Sequence, residues 1–286
     1  MENPIGLRES LKARLLELRF ALGHNPANLT EAQLYLRSVA RDEPCDTLLS
    51  MPWGELACSN TAVVRAQFEE IFIKRHYEFK STVQAPVIID CGGNIGLSAI
   101  WFSQNYPGCR LTVLEADPAV ADKLRCNLSR AGFGDTKVEN LAVWTENTEI
   151  PFSATGMDNG RIDPEGGQTV RTIDVVDLIP DQVDLMKIDI EGAEFDVIDR
   201  MIDTGVIDRV RNLAVEFHPS RSTLGRMMTL FERLGEIGMT VSFESYHGPA
   251  AGLEDTEAAF PVVGRHRMFV QAYIWRGAPV AAALRH

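Results

Sequence analysis

The chain has 286 residues, with 28 Lys plus Arg against 40 Asp plus Glu and a formal net charge of −12. Its composition, 45% hydrophobic, 24% charged and 8% aromatic residues, is that of a globular protein with a large core, which excludes the disordered and fibrous classes. The acidic balance disfavours nucleic acid as a partner, because binding to phosphates requires a dense basic face.

The cysteines and the N-terminus indicate a cytoplasmic location. There are five cysteines, an odd number, with no C-x-x-C pair, which is typical of reduced thiols rather than of a disulfide framework or a zinc site. The first 20 residues carry charges throughout, which argues against a signal peptide. No segment approaches the roughly 18 consecutive apolar residues that a membrane-spanning helix needs. We therefore expect a cytoplasmic chain with no membrane span.

The N-terminal segment, residues 1–80, is predicted to be mainly helical. Its predicted elements are a helix over 6–23, a helix over 30–41, a hairpin of strands 47–49 and 55–58, and a helix over 64–75. Thr30 and Gln33 have the form of a capping box for the second helix. The leucines at helical spacing in this segment favour simple packing. Three further roles are open: a lid, an element that shapes the substrate site, and the dimerisation arm of a homodimer.

In residues 81–286, short apolar runs alternate with helical stretches, which is the signature of βαβ units around a parallel sheet. The predicted strands are 87–90, 110–115, 137–143, 183–189 and 212–217, and the predicted helices are 95–105, 119–131, 175–179, 194–204 and 223–235. Two last strands, 240–245 and 267–275, predict an antiparallel hairpin that closes the sheet. A further strand pair, 150–152 and 169–173, encloses a long glycine-containing loop, which is either functional or a mobile surface loop.

The strongest local signal is a glycine-rich turn between the first predicted strand and helix of the sheet. Gly92 and Gly93 allow the backbone to approach a ligand, and Gly96 lets the helix pack closely against the sheet. Glu115 lies 19 residues beyond Gly96, at the end of the next predicted strand. A carboxylate at that position accepts hydrogen bonds from both ribose hydroxyls of a nucleoside.

Two cofactors compete for such a turn. The G-x-G-x-x-G pattern of dinucleotide sites is broken here, because Asn94 stands two residues after Gly92 and Asp90 stands two before it. An acid before the loop repels a pyrophosphate but suits S-adenosylmethionine, which carries an ammonium and a sulfonium group. The alternatives to an enzyme that uses S-adenosylmethionine are an NAD-binding oxidoreductase and a non-catalytic module that has kept a cofactor-binding fold.

Four motifs together resemble the FkbM family of S-adenosylmethionine-dependent methyltransferases: D-C-G-G-N-I-G at 90–96, E-A-D-P at 115–118, N-L-A-V at 140–143 and K-I-D-I-E-G-A-E at 187–194. The resemblance implies an α/β, Rossmann-like class I methyltransferase fold, with a mostly parallel seven-stranded sheet, an antiparallel terminal strand and a mainly helical N-terminal segment. It also implies O-methylation of a sugar, glycan or other secondary metabolite, with S-adenosylhomocysteine as product.

By position, the resemblance assigns ten residues to the cofactor: Asp90, Gly92, Gly93, Asn94, Gly96, Glu115, Ala116, Asn140, Leu141 and Ala142. Asp90, Gly92 and Asn94 are expected at the methionine part. Glu115 is expected at the ribose, and residues 140–142 are expected at the adenine. Gly93 departs from the alanine usual in the family.

In a doubly wound sheet the ligand lies beyond the carboxyl ends of the strands, so methyl transfer is expected there. Four candidate catalytic residues are found there: Asp189, Glu191, Glu216 and His218. His218 is the preferred general base because an imidazole titrates near neutrality, and Asp189 is expected to contact the cofactor ammonium or the acceptor hydroxyl. Capping of the next helix is an alternative interpretation of Glu191, and also of Glu194. A divalent cation on Asp189, Glu216 and His218 ranks below a metal-free base, so no metal ligand is assigned.

Overall fold

The computed structural model describes residues 26–154, 160–219, 223–249 and 266–276, with the backbone alone at 244–249 and 266–269. The helix predicted over 6–23 lies outside the described residues. So does most of the segment between the two last strands.

The N-terminal elements are α1 (Leu29–Val39), β1 (Thr47–Met51), β2 (Gly54–Cys58) and α2 (Thr61–Phe68), which continues as a π-helical turn, Glu69–Ile73. β1 and β2 pair antiparallel, which confirms the predicted hairpin. The cap of α1 is Asn28 and not Thr30. The Asn28 side chain accepts from the Glu31 amide at 3.0 Å, and the Glu31 carboxylate accepts from the Ala27 amide at 3.0 Å. Asn satisfies the first free amides of a helix at least as well as Thr.

The remaining strands are β3 (Val87–Cys91), β4 (Arg110–Leu114), β5 (Lys137–Glu139), β6 (Ala142–Trp144), β7 (Glu149–Ser153), β8 (Arg161–Ile162), β9 (Gln168–Asp174), β10 (Leu185–Ile188), β11 (Asn212–Phe217), β12 (Met239–Pro249) and β13 (His266–Arg276). Within the described ranges, seven of them form the main sheet, in the order β12-β13-β11-β10-β3-β4-β5. β13 runs antiparallel to both of its neighbours, and the other pairs are parallel. The predicted sheet with an antiparallel terminal strand is confirmed.

The helices that follow the strands are α3 (Leu97–Asn105), α4 (Pro118–Arg130), α5 (Val175–Leu178), α6 (Glu194–Asp203) and α7 (Leu224–Glu236), with a 3-10 turn at Val206–Arg209. Each lies within two residues of its predicted bounds. Of the helices that the structure describes, none has the length and apolarity needed to cross a bilayer.

The single strand predicted over 137–143 is wrong. β5 ends at Glu139, and β6 belongs to a second sheet with the order β6-β9-β7-β8. Between them, the Asn140 side-chain amide donates to the carbonyl oxygens of Glu115 at 2.8 Å and Ala116 at 2.9 Å. These two bonds turn the chain away from the main sheet at its carboxyl edge.

The main sheet has an apolar layer on each face. One face, which includes Ile88 and Leu185, packs against α3, α4 and the described N-terminal elements, and the other face packs against α5, α6 and α7. Asn127 on α4 forms hydrogen bonds with both the N-terminal hairpin and the turn before α3. Its side chain accepts from the Ala57 amide at 2.8 Å and donates to the carbonyl oxygens of Ala57 and Ile95, both at 2.9 Å. The N-terminal hairpin therefore lies fixed against the helix that follows β4.

Candidate active site

The glycine turn after β3 is packed against the protein itself. A Cβ added to Gly92 would lie 1.8 Å from the carbonyl oxygen of Asp189, and one added to Gly93 would lie 2.2 Å from Val113 Cγ1. The space at both glycines, expected from the sequence to admit a ligand, is filled by these neighbours. Gly96 is needed for another reason, because it precedes α3 with a φ of +99°, a conformation that favours glycine.

A buried ion pair lies directly beneath this turn. Lys187 Nζ lies 3.2 Å from Asp90 Oδ1 and 3.6 Å from Asp189 Oδ2, and it donates to the Gly92 carbonyl oxygen at 2.7 Å. The Ser98 hydroxyl donates to Asp90 Oδ2 at 2.6 Å. Burial by itself lowers the pKa of Lys187, but the two carboxylates outweigh it and raise that pKa above its usual range. Asp90 has no exposed surface, so it supports the turn from below.

Glu115 stands at the carboxyl end of β4, beside the turn. Its Oε2 accepts from the Asn94 amide and its Oε1 accepts from the Asp117 amide, both at 2.9 Å. Burial raises the pKa of Glu115 to about 7, although these two amides lower it. Each carboxylate oxygen has further acceptor capacity. A carboxylate held in this way is oriented and is still able to accept hydrogen bonds from a ligand.

Ala116 and the residues assigned to the adenine, 140–142, lie at the same edge. Ala116 is half-buried and follows Glu115 directly, where its carbonyl oxygen accepts from Asn140. The side-chain amide of Asn140 is therefore occupied by the backbone. Leu141 packs against the core of the far face, and Ala142 is buried at the start of β6.

Four acidic side chains surround one histidine at the carboxyl ends of β10 and β11. His218 Nδ1 lies 2.9 Å from Glu194 Oε1. Three further carboxylates lie around His218 Nε2: Glu191 at 3.7 Å, Glu216 at 3.7 Å and Asp189 at 4.0 Å. The structure thus brings the four predicted catalytic residues together and adds Glu194.

This environment keeps His218 protonated. Burial alone would lower its pKa, but the hydrogen bond to Glu194 and the charges of Glu194, Glu191 and Asp189 raise the pKa to about 10. The sequence favours His218 as general base because an ordinary imidazole titrates near neutrality. An imidazolium has no lone pair with which to accept a proton. At neutral pH an imidazole with a pKa of about 10 is a cation among these carboxylates.

Glu194 belongs to the site, although it is not among the catalytic residues predicted from the sequence. It begins α6 and is fully buried. Besides its contact with His218, its Oε1 accepts hydrogen bonds from the amides of Ile190 at 3.2 Å and Gly192 at 3.0 Å. Glu191 has a φ of +56°, which is uncommon for a residue other than glycine. The motif at residues 187–194 therefore forms a turn, and its last residue, Glu194, is hydrogen-bonded to His218, 24 residues further along the chain.

The same groups have the spacing of a cation site. One ligand atom from each of Asp189, Glu216 and His218 lies within 4.8 Å of the other two. Carboxylates and imidazole are common ligands of divalent ions. A metal would first have to displace the proton of an imidazole whose pKa is about 10.

The sheet order and the site at its carboxyl edge define a class I methyltransferase fold. Residues 90–237, about half of the chain, match the family model described as the methyltransferase FkbM domain. The chain belongs to the FkbM methyltransferase family.

Individual relatives are distant. Methyltransferase 1 of Beauveria bassiana is 23% identical over 196 residues, which cover 58% of this chain and 78% of that protein. Methyltransferase sdnD of Sordaria araneosa is 26% identical over 195 residues, covering 54% and 75%. The solved structure of methyltransferase FkbM from Methylobacillus flagellatus is 13% identical with a TM-score of 0.43, covering 92% of this chain and 59% of that chain.

Proposed function

We propose that the chain transfers the methyl group of S-adenosylmethionine to a hydroxyl group of a sugar, glycan or related secondary metabolite. One observation carries this proposal. A carboxylate oriented by two backbone amides, Glu115, lies on the same sheet edge as the carboxylates of Asp189, Glu191 and Glu216 around His218.

The residues at this edge fit the chemistry of the cofactor. Glu115 is placed to accept the ribose hydroxyls. The cofactor carries positive charge on its sulfonium and ammonium groups, which suits strand ends where acids outnumber cations. When bound, S-adenosylmethionine supplies an electrophilic methyl group that an acceptor oxygen attacks opposite the sulfur. The same acids disfavour the pyrophosphate of NAD, which is why a nicotinamide-dependent oxidation is the weaker alternative.

We assign Asp189, instead of His218, as the group that takes the acceptor proton. The side chain of Asp189 is 28% exposed, more than those of Glu191 at 21% and Glu216 at 15%, so a hydroxyl reaches it most readily. It accepts the hydroxyl hydrogen and then the proton as the oxygen becomes an ether. A positioned base of this kind typically contributes about 10²- to 10⁴-fold.

His218 and Lys187 hold Asp189 from two sides during this transfer. Lys187 Nζ lies 3.6 Å from Asp189 Oδ2, and His218 Nε2 lies 4.0 Å from Asp189 Oδ1. Alignment of the reactants is the largest contribution expected in such a displacement. We favour a metal-free proton transfer because His218 already supplies the positive charge that a cation would bring.

We further propose that residues 1–80 shape the acceptor side of the site and that residues 81–286 form the cofactor-binding domain. The described part of the N-terminal segment shares a core with the sheet. The centroid of its Tyr77 ring lies 5.6 Å from Lys187 Nζ, and Lys187 Nζ lies 3.6 Å from Asp189 Oδ2.

The test is transfer of tritium from methyl-labelled S-adenosylmethionine to a panel of sugars and glycosides, with the product identified by mass spectrometry. We expect label in an O-methyl ether and a large loss of transfer in Asp189→Asn. Asp196→Asn is the matched control, because Asp196 pairs with Arg226 at 2.8 Å on the exposed side of α6. Label found on nitrogen or carbon would overturn the assignment of a hydroxyl acceptor.

A further inference from the structure

Gln271 has a buried side-chain amide. Its side chain lies on β13 with 1% of its surface exposed, and its Nε2 has no hydrogen-bond partner among the residues that the structure describes. Leaving a polar group unpaired in a protein interior is costly, and such a group needs an explanation. One such explanation is a ligand oxygen that accepts a hydrogen bond from the amide.

Gln271 lies beside the acid cluster. It is the register partner of Glu216 on the neighbouring strand β11. Side chains directly opposite each other on antiparallel strands share a face of the sheet, with Cβ atoms about 4.5–5.5 Å apart. The unpaired amide is therefore next to the carboxylate of Glu216, which in turn lies 3.7 Å from His218 Nε2.

Glu70 is a second polar side chain at this edge. It belongs to the π-helical turn Glu69–Ile73, a kind of turn that is frequent at functional sites. Within the described residues its half-buried carboxyl group forms no hydrogen bond or ion pair. Burial raises the pKa of Glu70, Lys74 lowers it, and the charge of Asp189 raises it further. The His76 amide donates to the Glu70 carbonyl oxygen at 3.1 Å, and the centroid of the adjacent Tyr77 ring lies 5.6 Å from Lys187 Nζ. The turn that carries Glu70 is therefore close to the ion pair of Lys187 and Asp189.

The chain that follows the π-helical turn lies across β10, β11 and β13, where residues 76–80 line a cavity with Leu185, Ala214 and Tyr273. The Tyr77 ring lies 5.6 Å from Lys187 Nζ, which lies 3.6 Å from Asp189. An open cleft of about 510 Å³ adjoins this region, and it is lined by Lys74, Arg75, His76, Glu78 and Tyr273. Tyr273 is two residues from Gln271 on β13, so both side chains are on the same face. The cleft therefore reaches β13 at Tyr273, which is one same-face position away from Gln271.

We infer that Glu70 and Gln271 complete the acceptor site by holding a second hydroxyl next to the one that receives the methyl group, so that the acceptor is a vicinal diol. This inference rests on the proposed hydroxyl methylation. A hydroxyl both donates and accepts, whereas a carboxylate accepts and an amide N–H donates. One hydroxyl donates to Glu216 and accepts from Gln271, and its neighbour is held between Asp189 and Glu70. Only 1% of the Gln271 surface is exposed, so a diol reaches the amide by displacing the side chains that cover it.

The test compares two probes that differ by one hydroxyl, cis-cyclohexane-1,2-diol and cyclohexanol, with S-adenosylhomocysteine bound to the full chain. Titration by saturation-transfer NMR gives both dissociation constants. We expect the diol to bind about tenfold more tightly, since the second hydroxyl gains hydrogen bonds to charged or unpaired partners. In Glu70→Met and in Gln271→Leu the advantage of the diol falls to about threefold or less. Glu69→Met is the matched control, because Glu69 is on the same turn but pairs with Arg37 at 3.4 Å, and it keeps the full advantage.

Equal binding of the two probes to the wild type overturns the inference. The absence of saturable binding by either probe, and a diol advantage that survives in both variants, overturn it equally. S-adenosylhomocysteine affinity is measured in parallel on each protein. If that affinity is retained while the diol advantage is absent, the acceptor inference fails and the proposed function stands. If the wild type does not bind S-adenosylhomocysteine, the proposed function itself fails.

Discussion

Replacing Glu194 by Gln removes the group that does most to keep His218 protonated. Glu194 is fully buried and its Oε1 lies 2.9 Å from His218 Nδ1. A hydrogen bond to a charged group is worth about 1.5–3 kcal/mol, and one pKa step corresponds to about 1.4 kcal/mol. We therefore expect the pKa of His218 to fall from about 10 to roughly 8–9 in Glu194→Gln.

The same change alters how stability depends on pH. The pKa of His218 is raised from 6.5 to about 10, so its contribution to stability is complete below pH 6.5 and is lost as the pH rises through 10. At about 1.4 kcal/mol for each pKa step, the wild type loses up to roughly 5 kcal/mol over this window. Glu194→Gln loses roughly 2–3 kcal/mol, and it does so by about pH 9.

NMR titration of the His218 ring measures the pKa directly, and urea unfolding across the same pH window measures the free energy of unfolding. Asp196→Asn is the control, because it removes a charge from the same turn of α6 at an exposed ion pair with Arg226. It should leave the His218 titration in place. The electrostatic reasoning is refuted by a wild-type His218 that titrates near 6.5. A titration that does not move in Glu194→Gln refutes it as well.

Three other changes test the edge of the sheet. Asp189→Asn should lower methyl transfer by about 10²- to 10⁴-fold with little change in S-adenosylhomocysteine affinity, and unchanged turnover would contradict its role as proton acceptor. Lys187→Met leaves the buried Asp90 without its cation and should destabilise the fold by about 3–5 kcal/mol in urea unfolding; a variant as stable as the wild type would show that this ion pair is dispensable. Because the pKa of Glu115 is about 7, its ionised form is lost as the pH falls below that value. Calorimetric S-adenosylhomocysteine affinity should weaken there in the wild type and stay level in Glu115→Gln, and a level wild-type profile counts against ribose binding.

Much of the sheet could be predicted from the sequence, because its strands are short apolar runs bounded by turn residues. The bounds of β11 match the prediction at 212–217. Prediction failed where a tertiary hydrogen bond overrides a local pattern. The run 137–143 has continuous strand character, but the Asn140 amide bonds across to the end of β4 and breaks it. Asn28 and Thr30 are both good caps, and the contacts of Glu31 decide between them.

The site residues could be predicted from motifs, but their charge states could not. Lys187 meets Asp90 because β10 pairs with β3 in a register that sets these two residues opposite each other. The sequence does not show this pairing. The proton on His218 depends on acids from another turn, and most strongly on Glu194. Glu70 and Gln271 belong to no motif, and their places at the site follow from a π-helical turn and from an antiparallel register.

Calorimetric titration of the wild type and Glu115→Ala with S-adenosylhomocysteine, and with NAD in parallel, tests the central claim most directly. The account predicts saturable binding of S-adenosylhomocysteine at one site and no binding of NAD. In Glu115→Ala the affinity should be about 10- to 100-fold weaker, as expected when hydrogen bonds to a charged group are lost. Saturable binding of NAD without binding of S-adenosylhomocysteine would contradict a methyltransferase site at this edge.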